Sequence, residues 1–340
     1  MTVVDHPTAD HPAVVVEGLR KTYGRTRAVD GVSFTVAQGE IFGILGPNGA
    51  GKTTAVECIA GLRDADAGRV RVLGLDPQHG PDVARVREIL GVQLQESRLP
   101  PKLRVHEALE LYAALYANPD DPERLLALLG LEDRRSTAYQ DLSGGQKQRL
   151  SIALALVGRP RVAILDELTT GLDPQARRET WDLVERVRAD GVTIILVTHF
   201  MDEAERLCDR LVIIDEGVVV AEGTPAQLTG AHVGAERGFV MSLPAPAEGH
   251  PPLDLAVLMA LPEVATVSAR GDEIEVTGSR EVLPAVVAAL HARGLVPDEL
   301  RTRTRTLEDV FVDLVTHPDA RPGHDLQGPA ASDAHDEVTS

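Results

Sequence analysis

Cysteine is almost absent: the 340 residues hold two, Cys58 and Cys208, far apart and each in helix-like surroundings. Two separated thiols exclude a disulfide-stapled scaffold and suit a reducing compartment. Aromatic residues make up only 3% of the chain, so a core has to come from the Val, Leu, Ile and Ala that dominate the 43% hydrophobic content. Long apolar runs are missing as well. Leu111–Ala117 and Leu255–Leu261, the longest, have seven residues each, against the roughly 18 that a spanning helix requires. No membrane-crossing helix is expected. Met1–Pro12 has no cationic start, apolar stretch or small-residue cleavage site, so a secretory leader is not expected either. Positive charge is scarce, with 34 Lys and Arg against 52 Asp and Glu and a net charge of −18. Such a balance is poor for wrapping duplex nucleic acid, which rewards basic faces. A cytoplasmic globular protein of two domains plus a tail fits the length and composition.

What is present alternates. Ala13–Gly18, Val29–Glu40 and the compact apolar run Ile41–Leu45 read as strands, the last buried on both faces. A glycine-rich turn leads from it to a helix over Lys52–Leu62. Helical periodicity fills Gln95–Leu156, and short strands return at Arg161–Leu165, Thr193–Thr198 and Leu211–Asp215. Strands alternating with helices predict a mainly parallel α/β sheet, with the region 95–156 as a helical lobe. Residues 1–12 are expected to form a disordered leader and 13–230 the main domain. Gly, Ala, Thr and Pro accumulate near Gly223–Gly238 and mark a boundary. The order after it is strand, helix, strand, strand, helix, strand over 239–316, which predicts a small α+β, ferredoxin-like domain. Thr306 opens the last helix with Asp309 placed for a capping box. Arg301, Arg303 and Arg305 alternate with threonines, as on an edge strand guarded by charge. Residues 317–340 are poor in large apolar groups and are expected to be a disordered tail.

Chemistry concentrates in two places. Gly46-Pro47-Asn48-Gly49-Ala50-Gly51-Lys52-Thr53 fits G-x-x-x-x-G-K-[ST] between a buried strand and a helix, the setting of a phosphate-binding loop. Its glycines let successive N–H groups face the β- and γ-phosphates, and the helix start adds a partial positive charge. Lys52 supplies a full charge and Thr53 a hydroxyl for Mg²⁺; Thr54 belongs to the same cradle. Val162-Ala163-Ile164-Leu165-Asp166-Glu167 buries a strand that ends in two carboxylates. Asp166 is then delivered to the metal, and Glu167 to a water attacking the γ-phosphate.

Leu142-Ser143-Gly144-Gly145-Gln146 lies before Asp166 at a helix start and resembles the signature motif of ABC-type ATPases. The order of loop, signature and acidic strand resembles that family too. The resemblance covers about residues 13–230 and implies a P-loop NTPase core with a helical subdomain, using ATP and Mg²⁺. It further implies that Ser143, Gly144, Gly145 and Gln146 cover the ATP of a second ATPase subunit, in a homodimer or heterodimer. Tyr23 resembles the aromatic that stacks on adenine. Gln95 resembles the glutamine that reaches Mg²⁺ and water, with Gln93 as its rival. Asp173, in Thr170-Gly171-Leu172-Asp173, resembles the residue that crosses the dimer interface. His199 resembles the γ-phosphate-contacting histidine; among 11 histidines it alone is assigned chemistry. His6, His11, His317, His324 and His335 read as solvated. One departure stands out: Leu168 occupies the place where the family usually has proline, which implies a looser turn after Glu167.

The region after 230, through Thr306-Leu307-Glu308-Asp309-Val310-Phe311, resembles the extension of daunorubicin-resistance-type exporter ATPases. Together these resemblances imply an ATPase subunit at the cytoplasmic face of the membrane. It would power a separate multi-pass permease through its helical lobe and export a drug-like or hydrophobic compound. The alternatives are a soluble ABC ATPase on a macromolecular partner and a nucleotide-sensing regulator with little turnover. The charge of −18 speaks against nucleic acid in the first, and the retained Glu167 and His199 speak against the second.

Overall fold

A computed structural model describes residues 11–93, 99–230, 237–243, 253–271, 273–303 and 306–316. Strands β1 (Val14–Tyr23) and β2 (Thr26–Val36) form a hairpin, and β3 (Ile41–Leu45) runs through a glycine turn into α1 (Lys52–Ile59). Then come β4 (Ala67–Val72), α2 (Asp82–Ile89), β5 (Leu90–Gln93), α3 (Val105–Ala113), α4 (Pro122–Leu129) and α5 (Gly144–Leu156). The chain continues through β6 (Val162–Asp166), α6 (Pro174–Ala189), β7 (Thr193–Thr198), α7 (Met201–Leu207), β8 (Arg210–Asp215), β9 (Val218–Gly223) and α8 (Pro225–Leu228). A second body holds β10 (Arg237–Ser242), α9 (Ala256–Met259), β11 (Val264–Arg270), β12 (Glu273–Gly278), α10 (Val282–His291) and β13 (Glu299–Arg303), followed by α11 (Leu307–Thr316).

The main sheet has the order β5-β6-β7-β3-β8-β9. Its first five strands are parallel, and β9 returns antiparallel along β8. β3, β6 and β7 are buried over their whole length, which is why they are continuous apolar runs instead of alternating ones. Register decides what this sheet can do. Leu45 lies beside Thr198, Asp166 beside Val197, and Gln93 beside Leu165. The loops leaving β3, β5, β6 and β7 therefore start from one edge.

A second, antiparallel sheet of order β2-β1-β4 packs its apolar face, with Val14, Val16, Val32, Phe34, Val70 and Val72, over α1 and the main sheet. Its strand β4 alternates buried Val70 and Val72 with Arg69 and Arg71, so a search for compact apolar runs passes over it. The helix after the glycine turn stops at Ile59, short of Leu62, because the chain turns at Gly61 with φ +67°. In the helical lobe, Val105, Ala108 and Leu109 of α3 share one cluster with Leu125, Leu126 and Leu129 of α4 and Leu150 of α5.

The small body is a four-stranded antiparallel sheet of order β11-β12-β10-β13. That order is the ferredoxin-like one its sequence pattern predicts. Phe239, Met241, Ile274 and Val276 face Leu258 of α9 and Val282, Val286 and Leu290 of α10. β13 is an edge strand, as its alternating arginines suggest; Arg301 pairs with Glu299 at 2.6 Å, and Arg305 lies outside the described residues. Thr306 and Asp309 form the expected reciprocal cap, at 2.9 and 3.3 Å. Helix α11 then turns back: Leu307, Val310 and Leu314 are buried in the cluster that holds Ala204 and Leu207 of α7, and the Leu307 N–H donates to the Glu205 carboxylate.

Both cysteines are buried and free. Burial pushes the Cys58 thiol up to about 11 and the Cys208 thiol higher still. A Cβ on Gly43 would come within 2.8 Å of the Cys208 sulfur, so only glycine lets β3 pass that side chain. Neither thiol is expected to react with iodoacetamide in the folded protein, and both should react in urea. Mass spectrometry of the two cysteine peptides checks this, and labelling of native protein would contradict the packing described here.

Candidate nucleotide-binding and catalytic site

The turn from β3 to α1 is a cradle that only glycine can line. Gly46, Gly49 and Gly51 take φ values of +153°, +85° and +100°, which L side chains rarely adopt. A Cβ on Gly46 would sit 2.1 Å from the Ile214 carbonyl oxygen, and one on Gly51 2.1 Å from that of Ala28. The Gly217 N–H donates to Ala50 O at 3.0 Å and the Asp30 N–H to Gly217 O at 2.8 Å. These bonds stitch the loop to β2 and to the β8–β9 turn. Helix α1 has no side-chain cap and no acidic residue in its first turn, so its N-terminal field stays directed at the loop.

Lys52 is buried, and its ammonium donates to the carbonyls of Gly46 at 2.8 Å and Pro47 at 2.9 Å. Burial lowers its pKa, and the carboxylates of Glu167 and Asp166 oppose that shift. Asn48, Gly49 and Thr53 are exposed, Pro47 and Thr54 half-exposed, Gly46 and Ala50 buried. At the end of β6, Asp166 is 1% exposed, and its Oδ2 has no hydrogen-bond partner among the described residues. Burial, then the neighbouring Glu167, pushes its carboxyl up to about 6, with Lys52 pulling the other way. A buried carboxylate oxygen without a hydrogen-bond donor has the chemistry of a ligand for a hard divalent cation.

Glu167 stands in the left-handed region at φ +51°, a conformation costing about 1–3 kcal/mol for a non-glycine residue and concentrated at functional sites. Its N–H donates to Val197 O at 2.9 Å, and the fully buried Leu168 anchors the next position. Packing thus holds a turn in which proline is usual. The Glu167 Oε1 lies 3.1 Å from His199 Nδ1. Sequence reading gives these two residues separate tasks; the fold joins them in one hydrogen bond.

Gln93 is buried, and its Oε1 accepts from the Asp166 N–H at 3.0 Å. It extends the β5–β6 ladder by one bond and fixes the point where Asp166 leaves the sheet. A polar residue closing an apolar strand is the signal that marks it in the sequence. Gln95 lies outside the described residues. Tyr23 ends β1 at the hairpin next to the cradle, 41% exposed, with the Arg63 guanidinium 5.2 Å from its ring centroid.

Ser143 caps α5 through a reciprocal box: Gln146 N–H to Ser143 Oγ at 3.3 Å, and Ser143 N–H to Gln146 Oε1 at 3.0 Å. Gly144 and Gly145 lie against Leu172 and Ala176, with room for a Cβ only at 3.7 and 3.3 Å. The signature start and the Asp173 loop are therefore neighbours on one surface. Asp173 is exposed and N-caps α6, its Oδ1 accepting from Gln175 N–H and Ala176 N–H at 3.0 Å each. Those donors, Ala176 first, hold its carboxyl below the usual carboxylate range. Sequence reading misses this cap.

The ABC transporter family profile matches residues 29–170. The chain is 44% identical over 229 residues to the Nod factor export ATP-binding protein I of Paraburkholderia xenovorans (strain LB400), covering 66% of this chain and 75% of that protein. It is 36% identical over 310 residues to the daunorubicin resistance ATP-binding protein DrrA3 of Streptomyces coeruleorubidus, covering 89% and 95%.

The chain belongs to the ABC transporter ATPase family.

Among solved structures it is similar to cbiO1 of Clostridium perfringens, part of the transporter complex cbiONQ, with a TM-score of 0.60, 30% identity and coverage of 65% of this chain and 92% of that one. The dimeric cassette MJ0796 bound to ADP and Pi matches with a TM-score of 0.57 and 27% identity over 62% of this chain and 98% of that one. The solved cassettes match a smaller share of this chain than the DrrA3 alignment does. The chain is an ATP-binding, ATP-hydrolysing cassette of the exporter type, and its fold is the P-loop α/β core of that family. Among the described residues no helix is long and apolar enough to cross a membrane.

Replacing Gln93 by alanine leaves the buried Asp166 N–H without its acceptor and should cost about 1–3 kcal/mol. Urea denaturation of the wild type and Gln93→Ala measures it; equal midpoints would show that the bond carries no weight.

Proposed function

We propose that the chain binds ATP and Mg²⁺ in the cradle, hydrolyses ATP through Glu167, and drives a separate multi-pass permease that exports a drug-like or hydrophobic compound. The Glu167–His199 hydrogen bond beside the cradle carries this reading. Lys52 and the amides of Gly49, Ala50 and Gly51 hold the phosphates, with Gly46, Pro47, Asn48 and Thr54 shaping the loop. Tyr23 stacks on the base. Thr53, Asp166 and Gln95 would hold Mg²⁺, whose charge neutralises the phosphate oxygens when it is bound. The Asp166 oxygen without a donor supports that assignment. Glu167 accepts a proton from the attacking water, and His199 orients that carboxylate while facing the γ-phosphate. Catalysis of this kind is positioning and electrostatics more than covalent chemistry.

Ser143, Gly144, Gly145 and Gln146, together with Asp173, act across a dimer of ATPase subunits on the nucleotide held by the other one. The exposure of Ser143, Gly144 and Asp173 on one shared surface supports this, and so does the dimeric form of the similar cassette. ATP closes the dimer and hydrolysis reopens it, so work comes from the difference in contacts between the two states. The helical lobe around Gln95 to Tyr139 meets the permease, and the chain resides at the cytoplasmic face of the membrane. Similarity to a Nod factor export ATP-binding protein and to a daunorubicin resistance ATP-binding protein supports export.

In purified protein Glu167→Gln should lower ATP hydrolysis about 10²-fold or more while leaving ATP binding in place; equal rates would remove Glu167 from the role. Tagged Glu167→Gln, expressed in the native host and loaded with ATP, should bring a stoichiometric polytopic protein out of detergent-solubilised membranes. Recovery only from the soluble fraction, with ribosomes, DNA or alone, would move the reading to a soluble ATPase.

A further inference from the structure

The loop after β7 and the helix after the Asp173 loop are clasped together by side chains that the catalytic assignment does not use. Arg177 and Trp181 are four residues apart on α6, hence on one face of it. Trp181 Nε1–H donates to Glu203 Oε1 at 3.1 Å. The Arg177 guanidinium donates to Asp202 Oδ2 at 2.8 Å and stands 4.7 Å over the ring of Phe200. Phe200 in turn lies against His199, ring centroids 4.1 Å apart. Glu203 is fully buried. Burial raises its pKa, opposed by the Thr198 hydroxyl, Trp181, Thr169 and Arg177, while its Oε2 and the Thr169 Oγ1 have no hydrogen-bond partner among the described residues. Thr169, itself fully buried, sits two residues after Glu167 and four before Asp173. The segment that carries Glu167 and Asp173 and the segment that carries His199 thus meet at one buried carboxyl group and one arginine.

A buried acid held by an indole N–H resists rearrangement, because breaking that bond leaves a further desolvated polar group. Arg177 cannot lose its charge, and its planar fork fixes orientation as well as distance. These are the properties of a rigid link. We infer that Arg177 and Trp181, gripping Phe200, Asp202 and Glu203, make the His199 loop and the Asp173 loop one moving body, so that a γ-phosphate held at one ATP site sets the loop that faces the second. The inference rests on the two-site dimer proposed above. Arg177, Trp181 and Glu203 are positioning residues in it; none of them touches nucleotide.

Trp181 is the only tryptophan of the chain, so its fluorescence reports on the clasp without a label. The full-length Glu167→Gln protein is titrated with ATP and with ADP. Binding is measured separately by equilibrium dialysis of radiolabelled nucleotide. ATP is expected to change Trp181 emission and ADP to leave it unchanged. Adding Arg177→Met, which does not touch the indole hydrogen bond, should keep ATP binding and shrink the emission response about threefold or more. In the protein that retains Glu167, ATP hydrolysis should be cooperative, with a Hill coefficient above one that Arg177→Met and Glu203→Leu lower toward one. Glu203→Gln, which keeps an acceptor oxygen for the indole, should restore it.

Thermal melts of each variant separate folding from coupling, and the partly exposed Arg177 gives the variant that perturbs the core least. An Arg177→Met protein with undiminished response and Hill coefficient would overturn the clasp. So would wild-type hydrolysis without cooperativity, or an emission that ignores bound ATP. If dialysis finds no ATP bound to the parent protein, the nucleotide reading fails first and takes the clasp with it.

Discussion

The parallel register of β3, β6 and β7 is the constraint on which the rest depends. Burying both faces of three adjacent strands fills them with Val, Ile, Leu and Ala, with Phe42 and Gly43 in β3, and every polar group is pushed to the strand ends. Because Leu45 stands beside Thr198 and Val197 beside Asp166, those ends coincide. A cation from one loop, two carboxylates from the next and an imidazole from the third then converge although the three loops are far apart in sequence. The cost is local. Glu167 takes a left-handed backbone, and Asp166 keeps an oxygen buried without a donor. Strain and an unsatisfied polar atom thus stand side by side at the end of one strand.

Much of this was legible before any coordinates. Glycines at 46, 49 and 51 between an apolar run and a helix announce a tight anion-facing turn, and Asp166 and Glu167 announce themselves by ending a run that cannot tolerate charge. The ferredoxin-like order of the small domain follows from its alternation of strand and helix lengths. What escaped reading is what needs two sides to be visible. The strand β4 carries as many arginines as valines. It becomes a strand because β1 supplies the facing edge, with Val14 paired to Val72 and Val16 to Val70. Gln93 looks interchangeable with Gln95 along the chain. Only the neighbouring strand shows that its amide oxygen caps the Asp166 N–H. Asp173 likewise caps α6 through two backbone N–H groups, a bond the sequence alone does not reveal.

The groups proposed to recognise nucleotide are already engaged within the chain. Lys52 holds two carbonyls of its own loop, and Ser143 and Gln146 hold each other. Affinity for a polyphosphate is then an exchange of bonds and not a sum of new ones. Discrimination follows from the same fact: a ligand that reaches only part of the cradle recovers only part of what it displaces.

The return of α11 onto α7 makes the small domain something other than an appendage. The chain leaves the cassette after α8, builds a sheet, and comes back to place Leu307, Val310 and Leu314 in the cassette's own core. Its last helix therefore belongs energetically to the first domain and covalently to the second. Evolution cannot exchange such a unit by cutting at one linker. Two seams have to be cut together, and a replacement domain has to bring an apolar helix of the same shape to close the gap it opens.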